Sequence, residues 1–131
     1  MERLQERIQS ATKALKTLEE LVKIKKPTTI ERDAAIQRFE YSFEACWKAG
    51  KQFLFDVEGI DLGSPKGVIR SLRTVGILSE EETILGLHMV DHRNLTVHTY
   101  HEELAEEIFS YLPKYYDLLT NFIARIQSRV Q

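Results

Sequence analysis

The chain has 131 residues, a formal net charge of −2 and 43% hydrophobic residues, which fits one domain over residues 1–131 with a real apolar core. The near-neutral charge excludes a global basic field, so any nucleic-acid contact must be local. A single cysteine, Cys46, excludes an intramolecular disulfide and a cysteine-based zinc site, and no apolar run approaches the roughly 20 residues of a membrane span.

The charged, amphipathic opening MERLQERIQS lacks a signal-peptide core, so a cytoplasmic chain without a membrane partner is expected. In that first segment Leu4, Ile8, Ala11, Leu15, Leu18 and Val22 step by three and four residues, the stripe of an amphipathic helix. Pro27 disfavours helix at Lys26. Thr28 or Thr29 can cap a second helix running from about Thr29 to Val57, with Glu31 and Asp33 at its positive end. Its stripe is Ile36, Phe39, Phe43, Cys46, Gly50, Phe53 and Val57. A glycine inside a helix costs about 1 kcal/mol relative to alanine, so Gly50 predicts close approach of another helix.

Ser64 and Pro65 form a cap and first-turn pair for a short third helix that ends near Val75, before Gly76. Ile69 and Leu72 face inward. Lys66, Arg70 and Arg73 make a basic stripe, either a solvated face or candidate phosphate contacts. Ser79 and Glu82 form a capping box for the fourth helix. The last helix spans roughly Glu102 to Val130, with Leu104, Ile108, Tyr111, Tyr115, Leu118, Phe122 and Ile126 as its stripe and a kink expected near Phe109 from Pro113. Nothing reads as a strand. Four long helices, one short helix and short connectors predict an all-α, antiparallel up-and-down four-helix bundle with one extra short helix. The aromatic-rich second helix carries more apolar surface than one bundle face needs, which predicts a homodimer.

Chemistry concentrates in the fourth helix. His88 and His92 are four apart and could face one metal, but without an HExxH pattern or a cysteine cluster they read as surface or partly packed histidines, with no metal and no cofactor. The stretch RNLTVHTY, Arg93 to Tyr100, is either a solvated helix end or a site for nucleic acid or a nucleotide. On a continuous helix Arg93 and Tyr100 share a face and His98 points away. The three converge only if the helix breaks near His98 or a second subunit completes the site. Thr99, and the acidic HEELAEE that follows, favour a break. A corner of that kind can receive a phosphate. There Arg93 supplies a forked cation, His98 a proton acceptor near neutral pH, and Asn94 a group that orients a hydroxyl or the imidazole.

Arg93, His98 and Tyr100 match the Arg-x4-His-x-Tyr pattern of the HEPN superfamily. Four stretches, AIQRFEYSFEACWK, SPKGVIR, DHRNLTVHTY and AEEIFSYLPKYYDLL, resemble its nucleotidyltransferase substrate-binding branch over nearly the whole chain. The resemblance implies a dimerising helical bundle, with the motif lining the cleft between subunits and a minimal nucleotidyltransferase encoded nearby. It further implies a metal-independent endoribonuclease toxin, with the nucleotidyltransferase as antitoxin. In that reading Arg93 holds the scissile phosphate, His98 is the acid/base for attack by the ribose 2′-hydroxyl, Asn94 supports them, and Tyr100 is adenylylated to silence the nuclease. The family often has aspartate where this chain has His101, which predicts a weaker cap on the last helix. The alternatives are a noncatalytic subunit that presents a nucleotide to the nucleotidyltransferase and a structural adaptor whose motif is vestigial.

Overall fold

A computed structural model describes residues 1–131. Its helices are α1 (Glu2–Val22), α2 (Thr29–Glu58), α3 (Pro65–Thr74), α4 (Glu80–Leu95) and α5 (Glu102–Val130), with a 3-10 turn at Thr96–His98 between the last two. The all-helical expectation is met. Cross-helix pairs fix the directions. Arg32 meets Glu102 and Phe39 stacks on Tyr115, so α2 and α5 run parallel. Glu82 meets Arg125 and His92 meets Glu107, so α4 runs against α5. α1 packs on both α2 and α5, and α3 bridges α2 and α4.

The helix starts follow local chemistry. Thr28 and Glu31 close a capping box at α2, and Ser79 and Glu82 close another at α4. Each box satisfies two backbone groups that the first turn leaves without partners. Ser64 caps α3, and Pro65 takes its first turn, where the missing N–H costs nothing.

The core joins residues of all five helices. The α1 stripe is buried from Leu4 to Leu18, with Val22 half-buried at the helix end. Gly50 does mark a close approach. A Cβ there would lie 3.2 Å from Val68 and 3.3 Å from Leu72, so α3 seats against bare α2 backbone. Gly86 does the same for Ile69 from the α4 side, at 3.1 Å. The α2 stripe ends sooner than its period predicts. Val57 is exposed, and α2 ends one residue later. Tyr111 is only half-buried, its ring packing against the imidazoles of His88 and His92. α5 continues through the exposed Pro113 rather than ending there. No helix is long and apolar enough to cross a membrane.

Glu82 also binds Arg125 through Nη1 at 2.8 and 2.9 Å, tying the start of α4 to the end of α5. The Arg125 hydrogen bond holds the Glu82 carboxyl below its ordinary range. A lowered carboxylate pKa stabilises above the unfolded value, and that stability is lost as pH falls through the folded value. Glu82→Gln keeps the capping box but removes the charge. It is expected to cost about 0.5–1 kcal/mol at pH 7, since Arg125 is largely solvated and screening applies. Urea titrations from pH 7 down to about pH 3 should show the gap between the two proteins closing on the acid side.

Candidate functional site

The motif sits where α4 breaks. The Thr96 hydroxyl lies 2.8 Å from the Arg93 carbonyl, and the Thr99 hydroxyl lies 3.1 Å from the Thr96 carbonyl. These side chains compete for the carbonyls that a continuing helix would use, so α4 tightens into a 3-10 turn and stops. His101 gives α5 no side-chain cap. Instead the buried Arg32 forks onto Glu102 in the first turn of α5, at 2.7 and 3.3 Å, while its outer edge reaches Asp33 at 3.2 Å. The Arg32 guanidinium lowers the Glu102 pKa, and Glu102 in turn raises that of Arg32. The turn that carries the motif is therefore held from outside itself.

The break sorts the motif into two groups. Arg93 turns toward α2, where its Nη1 lies 3.4 Å from Glu40 and its Nη2 lies 3.7 Å from Glu44. Nη1 also donates to the Thr96 hydroxyl at 3.2 Å. Arg93 lines a polar cleft of about 680 Å³ between α1 and α2, together with Arg7, Glu40, Tyr41, Glu44 and Lys48. His98 and Tyr100 form the second group, with His98 Nδ1 3.1 Å from the Tyr100 hydroxyl and the pair exposed. On a straight helix Tyr100 would have shared a face with Arg93; the turn pairs it with His98 instead. Asn94 is exposed. No hydrogen bond joins Arg93 to His98 within one chain.

The basic stripe on α3 is partly spoken for. Lys66 pairs with Asp91 at 2.8 Å and holds the Asp91 carboxyl below its usual range, and Arg73 lies 3.8 Å from Glu80. Arg70 is exposed and has no carboxylate partner.

His92 is buried rather than at the surface, because both of its ring nitrogens have partners. Nδ1 is 2.6 Å from the Tyr115 hydroxyl, and Nε2 is 2.8 Å from Glu107. Tyr115 in turn meets His88 Nδ1 at 3.0 Å. With both imidazoles neutral the chain closes in one direction: His88 N–H donates to Tyr115, Tyr115 O–H to His92, and His92 N–H to Glu107. Burial pushes the Tyr115 phenol well above its ordinary pKa, so it acts as a hydroxyl and not a phenolate. His92 therefore serves a buried network with the exposed His88 at its outer end, and no trio of His, Cys, Asp or Glu is arranged to hold a metal. This network and the Glu40–Glu44 clamp on Arg93 were missed by sequence reasoning. The tyrosine looked like one more member of an apolar stripe, and nothing in the spacing told which cation two glutamates four apart would face.

Residues 6–128 match the family described as nucleotidyltransferase substrate binding protein like. The chain belongs to that family. A Thermus thermophilus protein of known crystal structure is 55% identical to this substrate-binding-like chain, with a TM-score of 0.87, over 88% of this chain and 98% of its own. A Haemophilus influenzae protein with the fold of a substrate binding domain of a nucleotidyltransferase is 21% identical, with a TM-score of 0.77, over 92% of this chain and 98% of its own. A tri-AMPylated HEPN toxin of Shewanella oneidensis, in complex with its MNT antitoxin, is 16% identical, with a TM-score of 0.76, over 95% of this chain and 96% of its own. The last two share the fold with this family member. Among curated proteins none matches it.

Proposed function

We propose that this protein is the HEPN-type partner of a minimal nucleotidyltransferase and a metal-independent endoribonuclease toxin, silenced by adenylylation of Tyr100. The observation that carries the reading is the exposed His98–Tyr100 pair, with 3.1 Å between imidazole and phenol. With Nδ1–H of His98 donating to the Tyr100 oxygen, Nε2 is the nitrogen that can take a proton. In the reaction, His98 takes the proton of a ribose 2′-hydroxyl and the 2′-oxygen attacks phosphorus. The bond to the 5′-oxygen then breaks to leave a 2′,3′-cyclic phosphate, and the 5′-oxygen leaves with a proton from the imidazole of the second set. Arg93 offsets the extra charge on the phosphate oxygens. No hydrogen bond joins Arg93 to His98 within one chain, and a homodimer in which two sets face each other across a cleft would supply both groups to one phosphate.

The silencing chemistry fits the same pair. The Tyr100 oxygen attacks the α-phosphorus of ATP, pyrophosphate leaves, and the phenolic proton passes to a base. The product is a negatively charged phosphodiester at the oxygen that faces His98, which blocks access to the imidazole. Tyr100 is 73% exposed, so a partner enzyme can reach it. Incubation with the nucleotidyltransferase and ATP is expected to add an adenylyl group at Tyr100 by peptide mass spectrometry, with loss of RNA cleavage. An unmodified Tyr100 would remove the silencing mechanism. A second reading, a noncatalytic subunit, draws on the Glu40 and Glu44 carboxylates, which hold Arg93 toward α2 while His98 pairs with Tyr100.

A further inference from the structure

Buried polar atoms without a partner are rare, and each costs about 1–3 kcal/mol, so each calls for a physical reason. Two of the three in this protein are the Nε atoms of Arg7 and Arg93, and both arginines line the same cleft between α1 and α2. The cleft holds a third cation, Lys48, which sits 4.0 Å from Glu44. At its edge Tyr41 is half-exposed, and the Arg38 guanidinium lies 5.5 Å from the centre of its ring. A groove with several cations and an accessible aromatic ring is what binds single-stranded nucleic acid without reading its sequence: cations track the phosphates and a base stacks on the ring.

We propose that this cleft is the track for the single-stranded RNA flanking the cleaved bond, with Arg7 and Lys48 on flanking phosphates and Tyr41 stacked under a base. The inference rests on the RNA reading above. In the resting chain Glu40 and Glu44 hold the Arg93 fork and leave its Nε edge unused. An incoming phosphate competes with Glu40 and Glu44 for the Arg93 fork and gains further cations in Arg7 and Lys48. The two carboxylates also set a threshold, since an anion must compete with them. This favours a polyanion with several phosphates over a lone phosphate ion.

The test is fluorescence anisotropy of a labelled single-stranded 2′-O-methyl RNA, which cannot be cut because its 2′-oxygen carries no proton. RNA cleavage and light scattering are measured on the same proteins. Wild type should bind. Tyr41→Ala should bind about 5- to 100-fold more weakly, and Tyr41→Phe close to wild type. Arg7→Ala and Lys48→Ala should each weaken binding and flatten the salt dependence by about 0.7 in log–log slope, as for one lost phosphate contact on a single strand. Lys23→Ala, at the far end of α1, should change neither. Wild-type affinity in the Arg7, Tyr41 and Lys48 variants overturns the track and leaves the nuclease reading standing. Failure of wild type to bind overturns the track alone if RNA is still cut, and both readings if it is not. A change in the mass of Tyr41→Ala by light scattering, with RNA affinity intact, would assign the cleft to contact between copies and overturn the proposal.

Discussion

His98→Ala is expected to lose RNA cleavage by about 10²- to 10⁴-fold, the usual contribution of a positioned acid/base group. The fold should not change. His98 is exposed, its side-chain hydrogen bond is to Tyr100 alone, and it sits outside the core. Substitutions of that kind usually move stability by less than about 0.5 kcal/mol, so a helical spectrum and melting point like wild type should accompany the lost activity. Tyr100→Phe separates the two roles assigned to the pair. It removes the phenol oxygen that takes the adenylyl group but leaves the imidazole, so it should still cut RNA and should resist silencing by partner and ATP. Gel analysis of a defined RNA with the three proteins decides the matter. Equal, intact RNA with wild type and His98→Ala would sink the nuclease and leave the nucleotide-binding subunit.

The largest stability effect is expected at Tyr115, which is fully buried and stacks on both Phe39 and Tyr111. Tyr115→Ala should cost about 3–5 kcal/mol, the range for emptying an aromatic site in a core. Tyr115→Phe keeps the ring and removes the hydroxyl. It leaves His92 Nδ1 buried and without a donor, for an expected loss of about 1–3 kcal/mol, while the exposed His88 can turn to water. Urea denaturation at pH 7 measures both, with the midpoint shifting at constant slope. A Tyr115→Phe protein as stable as wild type would mean that water or a rotated imidazole replaces the lost bonds, and that the His–Tyr–His–Glu chain contributes little.

Helices, their caps and their buried faces were legible in the sequence because each depends on neighbours within one or two turns. The α1 stripe, the capping box at Ser79 and Glu82, and the start of α5 at its acidic first turn all follow from spacing and side-chain type. Gly50 was legible as a demand for close approach, though not as a seat for Val68 and Leu72. The break in α4 was legible too, since Thr99 and the acidic run point to it locally. Where the sequence fell short, the partner lay far along the chain. Arg32 holds Glu102 across 70 positions, Thr96 meets Glu40 across 56, and His92 reaches Tyr115 across 23.

The sequence by itself determined that this is a helical bundle of the nucleotidyltransferase substrate-binding family and that Arg93, His98 and Tyr100 gather at one helix end. Only the tertiary structure decided which of them meet. On a straight helix Tyr100 belongs with Arg93. In the folded chain the 3-10 turn gives Tyr100 to His98, while α2 claims Arg93 with two carboxylates. Helical period governs only residues that share one unbroken helix. Once the backbone turns, packing between helices sets the distances.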